Sequence, residues 1–269
     1  MAGRTPNPCV VCNRYVKWEA LLERSKEFNA DYVATGHYAR VEKLQNGRYA
    51  VKNSVTATKD QTYALYNLTQ EQLSRTMFPI GEYTKEEIRD IALRAGLPVA
   101  TKPDSQDICF VPDGDYAGFI EREVPDRIPK PGDFVDKEGK VIGQHKGIIH
   151  YTIGQRRGLE IAAGHRIFVT DIRPETNEVV VGENEDLFTT KIICSKVNWM
   201  SIEDLRTDEK IYVKTKIRYS HAGDMCYLSR LDEDRILCEF EKPMRAPTAG
   251  QACVFYDGEH VLGGGTIIK

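Results

Sequence analysis

Val124-Pro125-Asp126-Arg127-Ile128-Pro129-Lys130-Pro131-Gly132 packs three prolines and a glycine into one short stretch. Proline has no amide to donate and glycine no side chain to pack, so neither a helix nor a central strand crosses it. The pattern differs on its two sides. Behind it, strands of five to nine residues alternate with turns at Asp136–Gly139, Pro174–Asn177, Asp232–Asp234 and Asp257-Gly258, an all-β pattern to the last residue. Ahead of it, helix and strand signals mix. The change of character begins after Asp113, and a second boundary falls near Glu183–Thr190, where the Arg166–Gly182 hairpin ends. The fold expected is α/β plus all-β, with domains at 1–112, 113–186 and 187–269.

In the leading part, Trp18, Leu21, Leu22 and Phe28 recur at helical spacing over Lys17–Phe28, and Asp31–Val41 alternates like a strand. Gln45-Asn46-Gly47 predicts a type I′ hairpin turn into Arg48–Lys52. Thr69 with Gln72 and Thr84 with Glu87 are capping boxes, and Gly96 followed by Pro98 closes the second helix. No repeat period or low-complexity tract is present.

The chain has 269 residues, enough for two to three domains. With 41% hydrophobic and 29% charged residues it has a soluble composition, and no apolar run approaches the length of a membrane helix. A net charge of -3 excludes a uniformly basic nucleic-acid binder but leaves room for a local cationic face. The start, MAGRTPNPCV, lacks a signal-peptide core, so a cytoplasmic, reducing setting is expected for the seven cysteines.

Cys9-Val10-Val11-Cys12 is the only Cys-x-x-Cys. A structural zinc asks for a second pair or two histidines at finger spacing, and neither exists, so no metal is expected. Two readings of the pair stay open. One is a thioredoxin-like dithiol ahead of a helix start, with Arg14 and Lys17 favouring thiolate at Cys12; the other is two partly buried loop cysteines. Cys109 lies in the polar stretch Asp104–Phe110 and on its own reads as core. Cys194, Cys226, Cys238 and Cys253 sit on expected strands and read as core packing. Over Ile211–Tyr219, Tyr212, Lys214, Lys216 and Arg218 share one face, a cationic stripe suited to phosphates or a solvated barrel face. His145-Lys146, His150 and Arg156-Arg157 add a second basic stretch.

Taken in order, Thr5-Pro6-Asn7-Pro8 with Cys12-Asn13, Ala34-Thr35-Gly36-His37-Tyr38, Lys59-Asp60-Gln61, Asp104-Ser105 with Cys109-Phe110, Tyr151-Thr152-Ile153-Gly154-Gln155-Arg156, and Ala246-Pro247-Thr248 with Gly250-Gln251 resemble the tRNA-specific 2-thiouridylase family. The resemblance runs from Gly3 to the end and implies a PP-loop, adenine nucleotide alpha hydrolase-like domain, a small β domain and a tRNA-binding β-barrel. It implies 2-thiolation of the wobble uridine, with magnesium-dependent use of ATP to activate the 2-carbonyl, sulfur delivery from a cysteine persulfide, release of AMP, and a closing disulfide. The chain would then be an RNA-binding, nucleotide-binding sulfurtransferase and a monomer, with tRNA and a cysteine desulfurase or sulfur-relay protein as partners and no membrane. Carried over by residue, Cys12 is the nucleophile and Cys109 the persulfide carrier. Asn7, Pro8 and Cys9 face the target base, Gly36 faces ATP, and His37, Lys59, Asp60, Gln61, Arg218, Tyr219 and Gln251 face the tRNA.

Two departures qualify the resemblance. The family's Ser-Gly-Gly-x-Asp-Ser loop is missing, and Gly263-Gly264-Gly265 has no helix after it to form a phosphate cradle. The expectation is an N-terminally truncated member that does not bind ATP productively alone. Some members carry aspartate where this chain has Cys9, so Cys9, Cys12 and Cys109 could instead hold an iron–sulfur cluster. The competing functions are a non-catalytic tRNA-binding fragment and a dithiol redox protein; the latter leaves the other motifs unexplained.

Overall fold

The computed structural model describes residues 3–101 and 108–268. A helical rod in three parts comes first. Helix α1 (Pro8–Val11) is capped by Asn7, whose Oδ1 accepts the Cys9 amide at 3.0 Å, and has proline at its start, where no amide is needed. A π-type segment, Cys12–Ala20, follows and leads into α2 (Leu21–Glu27). Val10, Asn13, Trp18 and Leu22 are buried. The step from Asn13 to Trp18 is one residue too long for an α-helical face, and the wider π turn brings both inward. The expected helix therefore starts earlier than its apolar spacing indicates. Cys9 and Cys12 lie inside the rod, not in a loop before it, because the Asn7-Pro8 cap nucleates it.

The strand expected at Asp31–Val41 is split into β1 (Val33–Ala34) and β2 (Ala39–Lys43) around Thr35–Tyr38. Strand β1 pairs in parallel with β4 (Thr76–Met77). Strand β2 forms an antiparallel hairpin with β3 (Tyr49–Asn53), but not through a type I′ turn. The Gly47 amide donates to Leu44 C=O at 2.9 Å and the Leu44 amide to Arg48 C=O at 2.8 Å. Only Gly47, at φ 84°, has positive φ, whereas a type I′ turn needs it at Asn46 too; the loop is a type I turn closed by a left-handed glycine. Both expected capping boxes are present, Thr69 at α3 (Gln70–Ser74) and Thr84 at α4 (Lys85–Arg94). Gly96 ends α4 at φ 66°, its amide donating to Leu93 C=O.

An unexpected helix, α5 (Tyr116–Glu123), precedes the proline-rich stretch; Asp115 caps it on the Gly118 amide and Pro125 follows its end. Then come β5 (Gly132–Val135), β6 (Val141–His145), β7 (Phe168–Arg173) and β8 (Glu178–Gly182), a four-stranded sheet in the order β6-β5-β8-β7 with β5 and β8 parallel. Its core, around Phe134, Tyr151, Val169 and Val179, is separate from the others.

Strands β9 (Phe188–Trp199), β10 (Lys210–Lys216), β11 (Asp224–Arg230), β12 (Arg235–Arg245), β13 (Ala252–Asp257) and β14 (His260–Ile267) close into a barrel through the β13–β14 pairing. The β2–β3 hairpin extends this sheet beyond β14, with Lys52 opposite His260. Strand β13 is buried on both faces. Cys253 and Phe255 point into the barrel, while Ala252, Val254 and Tyr256 join Trp18, Tyr63 and Leu65 in a core shared with the N-terminal part. The glycine triplet lies in β14, where a Cβ on Gly264 would strike the Tyr66 ring at 2.6 Å, so it serves packing against the barrel wall. Among the described residues no helix is long and apolar enough to cross a membrane.

Candidate functional site

A segment near the start of the chain meets the turn that precedes β13. The Thr5 amide donates to Ala249 C=O at 2.9 Å, and Gln251 Nε2 donates to Thr5 C=O at 2.6 Å. Gly250, at φ 94°, allows this approach, since a Cβ there would lie 3.1 Å from the Thr5 nitrogen. Asn7-Pro8-Cys9 is thereby fixed beside the barrel. The rod that follows is tied to the Thr62–Leu65 turn by Asn13 Nδ2, which donates to Ala64 C=O at 2.9 Å, and to the segment just after it by Arg14, which donates to Asn67 C=O.

Three thiols belong to the site read from the sequence. Cys9 and Cys109 are exposed and Cys12 is half-buried. Cys109 sits in a turn closed by the Val111 amide on Ile108 C=O at 2.9 Å; Asp104-Ser105 and Gln106 lie outside the described residues. Crowding on its inner side pushes the Cys9 thiol above its ordinary pKa, and the neighbouring Cys109 and Cys12 add to this while Lys17 opposes it. Cys9 is thus within electrostatic reach of both other sulfurs. The three do not all come within 4.8 Å of one another, the separation found for another cysteine trio of this chain.

The tRNA-facing residues read from the sequence divide into two sets. Tyr219 Oη donates to Asp60 C=O at 3.3 Å, and its ring lies 6.0 Å from Tyr63. Burial and then Asp60 raise the Tyr219 phenol above its ordinary pKa, Lys59 lowers it and Cys9 raises it, so Tyr219, Lys59, Asp60 and Cys9 share one neighbourhood. The second set is engaged inside the protein. Asp60 accepts the Ser54 amide at 3.0 Å and the Thr62 amide at 3.1 Å. Gln61 Oε1 accepts the Tyr38 amide at 2.9 Å, and its amide nitrogen has no hydrogen-bond partner among the described residues. Arg218 donates to Arg245 C=O at 3.1 Å and Gln251 is committed to Thr5.

His37 is buried, between Thr35 Oγ1 at 2.8 Å and Lys17 Nζ at 3.3 Å, and packs on Trp18 and Phe78. Burial, reinforced by Lys17, lowers its pKa to about 4. Gly36 is exposed just past the carboxyl end of β1, the edge at which parallel sheets take ligands, and a Cβ there would meet only Ile80 Cδ1 at 4.0 Å.

Strand β10 alternates as expected: Val213 and Thr215 are buried and Tyr212 and Lys214 exposed, while Lys216 is drawn over the Tyr256 ring at 5.5 Å. In the second basic stretch Lys146, Arg156 and Arg157 are exposed, but His145 is buried, its ring accepting the Gly147 amide at 3.0 Å, and His150 pairs with Glu121 at 3.3 Å. Sequence reasoning gave no sign of Tyr63, and it marked Asn13 within a motif but not its Ala64 partner, because each acts through a partner distant in the chain.

Three family models match in chain order: a tRNA methyl transferase HUP domain at residues 1–113, a tRNA methyl transferase PRC-barrel domain at 117–183, and an aminomethyltransferase beta-barrel domain at 189–267. The chain is 61% identical over 268 residues to the tRNA-specific 2-thiouridylase MnmA of Lachnoclostridium phytofermentans, covering 100% of itself and 74% of that protein. The proteins of the same name from Clostridium acetobutylicum and Clostridioides difficile are each 50% identical over 98% and 100% of this chain and 74% of their own length. On these matches the chain belongs to the tRNA-specific 2-thiouridylase family, which are tRNA sulfurtransferases.

Proposed function

We propose that this chain carries the sulfur-transfer half of a tRNA 2-thiouridylase site, with Cys109 as persulfide carrier and Cys12 as the thiol that releases the sulfur. The observation that carries the reading is the gathering of Cys9, Cys12 and Cys109 beside Lys17 and the Tyr219–Asp60 contact, at the junction of helical rod and barrel. An extruded uridine bound there would meet Asn7-Pro8-Cys9 on one side and the Tyr219 edge on the other. Lys59, Gln61, Arg218 and the Lys214 face would hold the flanking RNA, alongside His37 and Gln251 beneath it. In this division of labour residues 1–112 carry the chemistry, 113–186 form the central β domain and 187–269 the tRNA-binding barrel.

ATP suits the HUP-type domain, and when bound beside Gly36 it supplies the group that turns the uracil 2-oxygen into a leaving group. The terminal sulfur of the Cys109 persulfide attacks that carbon, forming a carbon–sulfur bond as AMP leaves. The Cys12 thiolate then attacks Cys109 Sγ, breaking the sulfur–sulfur bond to the base. The thiocarbonyl stays on uridine, and Cys12 and Cys109 end as a disulfide that a cellular dithiol must reduce before the next turnover. Val11, Tyr15, Val16 and Phe28 are exposed on the rod, and β1 with β4 is a parallel pair too small to stand alone.

Incubation with a cysteine desulfurase and free cysteine, followed by intact and peptide mass spectrometry, tests the assignment. A single added sulfur on the Cys109 peptide is expected, lost in Cys109→Ser and kept in Cys12→Ser. An adduct absent from Cys109, with the desulfurase active on a control acceptor, would reject the relay.

A further inference from the structure

The interior of the barrel holds a second group of sulfurs that the proposed chemistry leaves unused. Cys194 on β9, Cys238 on β12 and Cys253 on β13 are fully buried, and their Sγ atoms all lie within 4.8 Å of one another, Cys194 and Cys238 at 4.0 Å. Cys226 on β11, also fully buried, stands diagonal to Cys238 across the β11–β12 pair, and its own sulfur lies 3.0 Å from Thr215 Oγ1. Four strands of one small barrel thus aim thiols at a common region.

Disulfide formation does not account for this placement. Cys194 stands opposite Ile236 and Cys238 opposite Ile192, which makes the two cysteines diagonal neighbours. Such pairs have Cα atoms roughly 7–8 Å apart, at or beyond the limit of about 7 Å for a bridge. Cys253 pairs with Gly265 on β14, and β14 separates it from Cys194 on β9, a span of two strand spacings or roughly 9–10 Å. Apolar packing explains the burial of each thiol but not the convergence of the sulfurs. Thiolates at about 2.3 Å from a tetrahedral ion stand roughly 3.8 Å apart, close to the separation observed.

We propose that the core of the C-terminal barrel is a closed thiolate site for a soft divalent cation of the zinc class, held by Cys194, Cys238 and Cys253, with Cys226 placed to supply a fourth sulfur. Binding breaks an S–H bond at each ligating cysteine and releases its proton to solvent, with no change in oxidation state. Three thiolates around a dication leave one net negative charge, and the Thr215 hydroxyl beside Cys226 is the nearby neutral donor. Because every ligand is sealed from solvent, the ion enters while the barrel folds.

The test uses the full chain with Cys9→Ser, Cys12→Ser and Cys109→Ser, so that the barrel thiols are the only cysteines left. The reduced protein is unfolded and refolded with cobalt(II) or zinc(II). One equivalent of cobalt with a thiolate-to-cobalt charge-transfer band, competed away by zinc, is expected. So are a zinc-dependent rise in melting temperature and loss of the band in a further Cys238→Ala variant. Protein that refolds to the same circular dichroism, yields four free thiols on denaturation and yet holds less than about a tenth of an equivalent would overturn the proposal, whether or not the Cys238→Ala variant folds.

Discussion

His37 shows how one side chain can carry the molecule's response to acid. Its ring is buried and neutral in the folded protein, with a pKa of about 4 against an ordinary 6.5. As pH falls below 6.5 the unfolded chain takes up a proton at this residue and the folded chain does not, so stability declines until the folded pKa is passed. At about 1.4 kcal/mol per pH unit the loss is on the order of 3 kcal/mol. Burial lowers the pKa of His145 and His221 as well, and both act with the same sign. Replacing His37 with Gln, which keeps a donor and an acceptor but no titration, should flatten the fall of the urea midpoint between pH 6.5 and about 4; an unchanged slope would show that the acid response lies elsewhere.

The β2–β3 hairpin gives the element-scale result. Its existence is legible in Asn46-Gly47 and the alternation around it, because turn chemistry and side-chain period are local properties. Its allegiance is not. Period two says that one face is buried but not against which sheet, and here the hairpin sits on the barrel while its flanks belong to the N-terminal domain. The residue responsible is Arg48, which donates from Nε to Met200 C=O at 3.0 Å and from Nη2 to Trp199 C=O at 2.9 Å, beside Asn46 on Ser201 C=O at 2.9 Å. Removing two part-buried charged hydrogen bonds should cost about 2–3 kcal/mol, so Arg48→Ala is expected to lower the denaturant midpoint with little change in slope. The site divides in the same way. The Cys-x-x-Cys is visible by spacing, whereas the Tyr219–Asp60 contact joins residues 159 apart and has no local signature. The π segment is equally hidden, since the Asn13-to-Trp18 step looks like a phase error in an α-helix.

At the scale of the molecule, three apolar cores do not coincide with three independent bodies. The N-terminal residues Trp18, Tyr63 and Leu68 share a core with Met200, Val254 and Val261 of the barrel, and Tyr63 Oη donates to Ala252 C=O at 2.7 Å. The central domain has its own core and meets the barrel through smaller contacts, Arg245 over Phe168 at 5.3 Å and Arg245 Nε to Asn184 Oδ1 at 3.1 Å. Calorimetry should therefore show two transitions, one for the central domain and one in which the N-terminal part and the barrel melt together. Separate melting of those two would contradict the shared core.

The closure of Thr5 onto Ala249 and Gln251 also has a meaning in time. The helical rod with Cys9 and Cys12 leaves the ribosome well before the turn at Ala249–Gln251 that pins it. At roughly 5–20 residues per second, the thiols spend on the order of 10–50 s without their seat. During translation the rod is thus exposed, and its seat on the barrel forms only once the Ala249–Gln251 segment has been made.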